Sequence, residues 1–331
     1  MTLWWPPGPP DRTHWVIGAG GLLGTAVTDA LRRRGNDIVL TSAVSWTTGR
    51  TDADLAAGLA EFGRIVAAVG TPWRISWCAG AGVTGSTDAE LLREVNTLRT
   101  FLAVLAERTD LPPGRVFLAS SAGGIYAGGT GGPYTELAPE RPISAYGRAK
   151  LAAEAVAAEF ARHSGTPVRI GRIANLYGPG QDLTKGQGLV SQLCRGAVNR
   201  TPVSVYVSLD TIRDYLFVRD CAALLLDLLE TPARPAGSDQ VIIKVLASGQ
   251  GTTIGELVAA CRQVFKRRPL LILGASPNAR FQVKDLRLSS VVLPELDRRS
   301  CTPLPVGIAA TAAAMLRTIQ AGQALTGTDR H

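Results

Sequence analysis

The stretch His14-Trp-Val-Ile-Gly18-Ala-Gly20-Gly21-Leu22-Leu23-Gly24 constrains this chain more than any other. Residues 14–18 have the apolar character of a short buried strand. After the glycines, Thr25 to Arg34 has a helical pattern that stops at Gly35. Strand, glycine turn and helix in succession form the context of a dinucleotide-binding βαβ unit. Gly18 permits the tight turn, Gly20 or Gly21 lets a pyrophosphate approach the backbone, and Gly24 lets helix pack on strand. The helix start adds free N–H groups and a positive dipole end, which suit phosphate. Gly18, Gly20, Gly21, Leu22, Leu23 and Gly24 are therefore candidate cofactor contacts.

Strands and helices alternate beyond this unit. Asp37 to Leu40 forms a second strand ending in Thr41-Ser42, Val44 to Trp46 a stub strand, and Asp52 to Val69 a helix. Arg74 to Cys78 is the next strand and runs into Ala79-Gly80-Ala81-Gly82, whose small residues allow a ligand close. Ala79, Gly80 and Ala81 join the candidate contacts. Asp88 to Arg108 is a long helix with Leu91, Val95, Leu98, Leu102 and Leu105 at helical spacing. Arg115 to Leu118 delivers Ser120-Ser121, and Val168 to Ile173 delivers Asn175. This alternation predicts an α/β, Rossmann-type doubly wound parallel sheet. Residues 1–12 are expected to form a loose tail and 13–174 the dinucleotide-binding domain. Residues 175–331 are expected to form mainly a substrate domain, with some segments returning to the sheet.

The 331 residues can bury a large core. No apolar run is long enough for a membrane span, and the first ten residues lack the basic and apolar parts of a signal peptide. The five cysteines are scattered without a CxxC. They suggest neither a disulfide framework nor a metal site, and a reducing cytoplasm fits best. The net charge of +8 favours anionic partners. Its arginines fall in short clusters, Arg32-Arg33-Arg34 and Lys266-Arg267-Arg268, which suit helix ends better than a nucleic-acid tract.

Chemistry concentrates in Ser144-Ala-Tyr146-Gly-Arg-Ala-Lys150, at the head of an alanine-rich helical run. Tyr146 and Lys150 are four apart and share one helix face. An ammonium held beside a tyrosine favours its phenolate, making the ring oxygen a usable acid/base near neutrality.

Taken together, the motifs resemble the extended short-chain dehydrogenase/reductase superfamily, in its nucleotide-sugar epimerase/dehydratase family. The resemblance covers nearly the whole chain. It rests on the glycine turn, Asn96 in Glu94-Val-Asn96, Ser120-Ser121 through Tyr126, and the Tyr146/Lys150 pair. Asn175-Leu-Tyr-Gly-Pro-Gly180, Arg213-Asp-Tyr-Leu-Phe-Val-Arg-Asp220 and Ser248-Gly-Gln-Gly-Thr-Thr-Ile254 extend it. The resemblance implies NADP or NAD as cofactor, with Tyr146 as general acid/base and Lys150 on the nicotinamide ribose. It also implies a serine on the reacting oxygen. Ser121 precedes Tyr146 by the family's spacing, with Ser120 as second choice, and counting back from Tyr126 falls on Ala122. Asn175 and Arg213 match diphosphate-binding positions. A nucleotide-diphosphate sugar is thus the expected partner and a homodimer the expected assembly, pairing the Asn96 and Tyr146 helices.

Departures narrow the chemistry. The family's 4,6-dehydratases carry Thr-Asp-Glu after the serine strand, where this chain has Ala122-Gly123-Gly124, so elimination of water is disfavoured. No cysteine or histidine supports a 3,5-epimerase. What remains is hydride transfer at one carbinol or keto carbon, by an epimerase or a 4-ketoreductase. Reduction of a non-nucleotide carbonyl, or dinucleotide sensing without turnover, are the alternatives. Ser42 stands where an acid would hold a ribose 2′-hydroxyl, which removes repulsion toward a 2′-phosphate and tilts the expectation to NADP.

Overall fold

The computed structural model describes residues 1–46, 49–80, 82–83, 85–183, 188–232, 240–274 and 283–322. In chain order the first half contains β1 (Thr2–Trp4), β2 (Arg12–Ile17), α1 (Leu22–Arg34), β3 (Asp37–Thr41), α2 (Thr51–Val69) and β4 (Trp73–Trp77). Then come α3 (Asp88–Ala106), β5 (Gly114–Ser121), α4 (Ala122–Ile125), α5 (Ala145–Ser164) and β6 (Val168–Ile173). The second half adds β7 (Asn175–Tyr177), α6 (Leu189–Asn199), β8 (Val203–Val205), β9 (Ile212–Phe217), α7 (Val218–Glu230) and β10 (Val241–Leu246). It closes with β11 (Gly251–Thr253), α8 (Ile254–Phe265), β12 (Leu271–Leu273), β13 (Asp285–Leu286) and α9 (Leu304–Gln320).

The main sheet runs β1-β3-β2-β4-β5-β6-β10, parallel throughout except for β1. Side chains alternate across each strand, so one set of residues feeds each helical layer. Val16, Val39 and Phe117 pack with residues of α1 and α7. Trp15, Ile38, Ile75 and Val116 pack with α2, α3 and α5. The helices have definite ends. Thr87 and Glu90 form a reciprocal capping box on α3, Ser144 caps α5 by accepting from Gly147 N at 3.1 Å, and Gly35 ends α1 at φ 73°.

Two expectations change at the sheet's edge. Residues 2–4 are not a loose tail: Thr2, Leu3 and Trp4 pair antiparallel with Thr41, Leu40 and Val39. The expected stub strand at Val44–Trp46 is a loop. Its backbone is satisfied by the start of α2, since Ser45 N donates to Asp54 Oδ2 (2.9 Å) and Thr51 Oγ1 to Ser45 O (2.9 Å). Among the described residues no strand lies between β3 and α2; β3 would carry an open edge, and β1 covers it.

The remaining strands form a smaller body. β9 pairs with β7, β11 and β13, while β8 pairs with β12. Tyr177, Leu193, Cys194, Leu257 and Ile308 fill a core under α6, α8 and α9. β10 and α7 return to the main sheet, beside β6 and α1. Among the described residues, no helix is long and apolar enough to cross a membrane.

His14 on β2 gives the sheet a pH dependence. It is fully buried, with Nε2 2.9 Å from Ser76 Oγ. Burial first, then the charges of Arg74, Arg34 and Arg12, push its pKa down to about 3. Below about pH 6.5 the unfolded chain takes up a proton that the folded form refuses. Stability conferred by neutral His14 is complete above that pH and falls by about 1.4 kcal/mol per pH unit until about pH 3. Urea midpoints at about pH 7 and about pH 5 should therefore differ more for the wild type than for His14→Gln; equal differences would contradict this.

Candidate active site

The order of the sheet reverses between β2 and β4, and open α/β sheets bind ligands at the carboxyl ends of the strands flanking such a point. The backbone there is shaped by glycine. Gly18 has φ 85°, and a Cβ on it would lie 2.7 Å from Ala79 N. One on Gly24 would lie 2.1 Å from Gly18 O, so strand, turn and helix touch backbone to backbone. Above Gly20 the space is open. α1 begins at Gly21 with no side-chain cap and no acid in its first turn, leaving the N–H groups at Leu22, Leu23 and Gly24 to a ligand. These features fit a dinucleotide pyrophosphate.

α5 carries the candidate acid/base group to the same crevice. Lys150 Nζ stands 5.4 Å from the centre of the Tyr146 ring. The same ammonium lies 3.2 Å from where a Cβ of Gly80 would be, just beyond β4. Gly80 has φ 155°, and its lack of a side chain makes room for the lysine. Glu94 of α3 reaches this loop too, accepting from Gly82 N at 2.5 Å. Tyr146 packs on α4, with its ring carbons 3.0 Å from the place of a Gly124 Cβ. Ala81, also expected to touch cofactor, lies outside the described residues.

The two serines have different surroundings. Ser120 is buried and donates to Glu154 Oε1 at 2.5 Å. Ser121 is half-buried and caps α4, accepting from Gly124 N at 3.2 Å, so its hydroxyl proton stays available. Ser42 follows β3 and accepts from Trp15 Nε1 at 3.1 Å. Asn96 is exposed on α3 and accepts from Arg99 at 2.6 Å.

Asn175 and Arg213 form a second group, on the adjoining strands β7 and β9. Asn175 Nδ2 donates to Asp214 O at 3.1 Å, and Arg213 Nη1 to Ile212 O at 2.8 Å. Burial disfavours the charged form of Arg213. Asp214 accepts from Ser248 N (2.8 Å) and Oγ (3.0 Å), and burial raises its carboxyl to about 6. Among the described residues, no cluster of His, Cys, Asp and Glu is arranged to hold a metal ion.

A model of the NAD dependent epimerase/dehydratase family matches residues 15–243. The chain belongs to that family. Its members are enzymes of the extended short-chain dehydrogenase/reductase type. Among its relatives, the dTDP-L-rhamnose 4-epimerase of Burkholderia thailandensis is 34% identical over 116 residues. That match covers 34% of this chain and 30% of the relative, about a third of either protein. Solved structures of the family align over far more. The UDP-glucose 4-epimerase of Thermotoga maritima with UDP-glucose has TM-score 0.74 and 22% identity, covering 93% of this chain and 99% of that one. The UDP-glucuronic acid 4-epimerase of Bacillus cereus, with UDP-glucuronic acid and NAD, has TM-score 0.71 and 15% identity, covering 92% and 99%. At these identities the likeness shows a shared fold.

Sequence reasoning passed over Glu154 and Arg172, although Glu154 lies on the Tyr146/Lys150 face, one turn beyond Lys150. Arg172 on β6 is almost fully buried. It donates to Glu154 at 2.7 Å and to Tyr126 Oη at 2.8 Å, and it also bonds Glu140. Removing Glu154 takes away the buried partner of Arg172 and leaves its guanidinium, among the described residues, only the exposed Glu140 as a charged partner. Glu154→Ala should thus lower stability by about 3–5 kcal/mol. Ser120→Ala, which removes one bond from a carboxylate still paired to Arg172, should cost about 1–3 kcal/mol. Chemical denaturation compares them; equal losses would mean that Arg172 does not depend on Glu154.

Proposed function

We propose that this chain transfers hydride at a carbinol or keto carbon of a nucleotide-diphosphate sugar, as a 4-epimerase or 4-ketoreductase. The observation that carries the reading is the position of Lys150, beside Tyr146 and against Gly80 in one crevice. In this reading Tyr146 moves the proton of the carbinol oxygen, and Lys150, beside it, binds ribose. Ser121 hydrogen-bonds the reacting oxygen and steadies its charge. The glycine turn would hold the pyrophosphate of a nicotinamide dinucleotide, which when bound would supply the hydride acceptor or donor. Asn175 and Arg213 hold the diphosphate, and a guanidinium already stripped of water favours an anion. The nucleotide sugars of the related 4-epimerases support this substrate class.

Cofactor choice rests on the end of β3. Arg32, Arg33 and Arg34 close α1 just before β3 begins, at the other end of the strands, and Arg34 bonds Asp227 at 2.8 Å. Arg50 caps α2 on the crevice side, largely exposed, 3.8 Å from Asp54. Ser42 keeps a hydroxyl proton to donate. Ser42 and Arg50 suit a 2′-phosphate, and we assign NADP as the preferred cofactor, although the Bacillus cereus neighbour holds NAD. Assembly as a homodimer through α3 and α5 completes the reading, with Leu92 of α3 60% exposed. A cytoplasmic location fits its five free cysteines.

Tyr146→Phe keeps the ring and loses the titratable oxygen. Its kcat should fall by about 100-fold or more with cofactor binding nearly unchanged; wild-type kcat would remove Tyr146 from the mechanism. Titration of both oxidised cofactors into stripped protein at one ionic strength should show tighter binding of NADP, and tighter binding of NAD would refute that preference. Light scattering at micromolar concentration should report a dimer, and a monomer would reject the pairing.

A further inference from the structure

The C-terminal ends of α6 and α8 meet beside β8 and β12, around a cavity of about 280 Å³. Its walls include Arg200, Arg267 and Arg268, with Phe265, Pro269 and Leu270 as an apolar side. Arg200 ends α6 and Lys266 ends α8, both in the left-handed conformation at φ 57° and 56°. Such backbone is unusual outside glycine, and here it turns the basic segments out of both helices.

Among the described residues, no ion pair engages Arg200, Lys266, Arg267 or Arg268. The sequence has no aspartate or glutamate from Leu183 to Leu209 or from Leu257 to Lys284, the segments that build the cavity. Arg267 donates to Ala197 O, a carbonyl in the last turn of α6. The bland account is that the cations complement two helix dipoles. Two helix ends supply roughly −0.5 charge each, against three guanidinium groups and Lys266. A positive surplus remains in a concave surface, where it attracts small anions.

We propose that this cavity binds a phosphate-bearing anion. Guanidinium forks match phosphate oxygens, and Phe265 with Leu270 offers contact to a small organic body. The volume suits a phosphate with few further atoms rather than a whole nucleotide sugar. Two sources share this chemistry: a free phosphate compound or a phospholipid headgroup. Beside the cavity Leu270 is 57% and Ile272 53% exposed, an apolar margin that either source would meet.

The test titrates pyrophosphate calorimetrically into the full chain and, in a second arm, floats the protein with phosphatidylcholine vesicles with and without phosphatidylglycerol. Wild type should bind pyrophosphate, or the phosphatidylglycerol vesicles alone, and the arm that responds identifies the source. Arg200→Gln with Arg268→Gln, both at exposed positions, should weaken that binding about tenfold or more. Turnover should be unchanged, because neither residue belongs to the Tyr146 or Arg213 groups. Absence of binding in both arms would overturn the proposal. So would pyrophosphate binding that survives the double variant and disappears in Arg213→Ala, since the anion would then lie in the sugar cleft.

Discussion

The carboxylate of Glu154, held by Arg172 and by the hydroxyl of Ser120, ties together the three elements on which the site depends. Ser120 is on β5, next to Ser121; Arg172 is on β6, three residues before Asn175; Glu154 is on α5, one turn past Lys150. A helix resting on a sheet through apolar contacts alone can slide and rotate at small cost, because such contacts are not directional. Several charge-assisted bonds to one buried carboxylate fix both its rotation and its height. Arg172 also holds Tyr126, which stacks on Tyr134 at 5.5 Å, so the segment leading to α5 is set by the same guanidinium.

Close backbone contacts complete this frame. A Cβ on Gly147 would lie 2.1 Å from Gly124 O, so α5 starts in direct contact with α4 and brings Tyr146 down upon it. The same kind of contact between Gly24 and Gly18 seats α1 on β2. Both halves of the crevice, the one proposed to hold phosphate and the one proposed for proton transfer, thus stand on positions where no side chain fits. The chemistry is placed by helices and strand ends rather than by long loops, which favours a preorganised site.

Much of this was legible in the residues. Apolar runs of strand length, glycines at Gly18 and Gly24, and the helix stop at Gly35 are local signals, and the elements follow them. The edge of the sheet was not legible. Nothing local tells Thr2-Leu-Trp4 to pair with β3, because that pairing is decided by the missing strand after β3, a tertiary fact. The serines divide for a similar reason. Adjacent in sequence, they meet different partners, and only the buried Glu154 separates a structural hydroxyl from one whose proton is free. Lys150 was readable from its spacing to Tyr146, whereas its place against Gly80 depends on how α5 packs against β5 and β6.

The central claim is that the Tyr146 and Lys150 pair serves hydride transfer with a nucleotide sugar. The most direct measurement mixes cofactor-loaded protein with a panel of nucleotide-diphosphate sugars in a single turnover and follows the absorbance of reduced nicotinamide. The account predicts that a sugar which binds also reduces the cofactor, briefly for an epimerase and lastingly for a reductase run backwards. Deuterium on the reacting sugar carbon should slow that rise. A sugar panel that binds without ever reducing the cofactor, or a rise indifferent to deuterium, would contradict it.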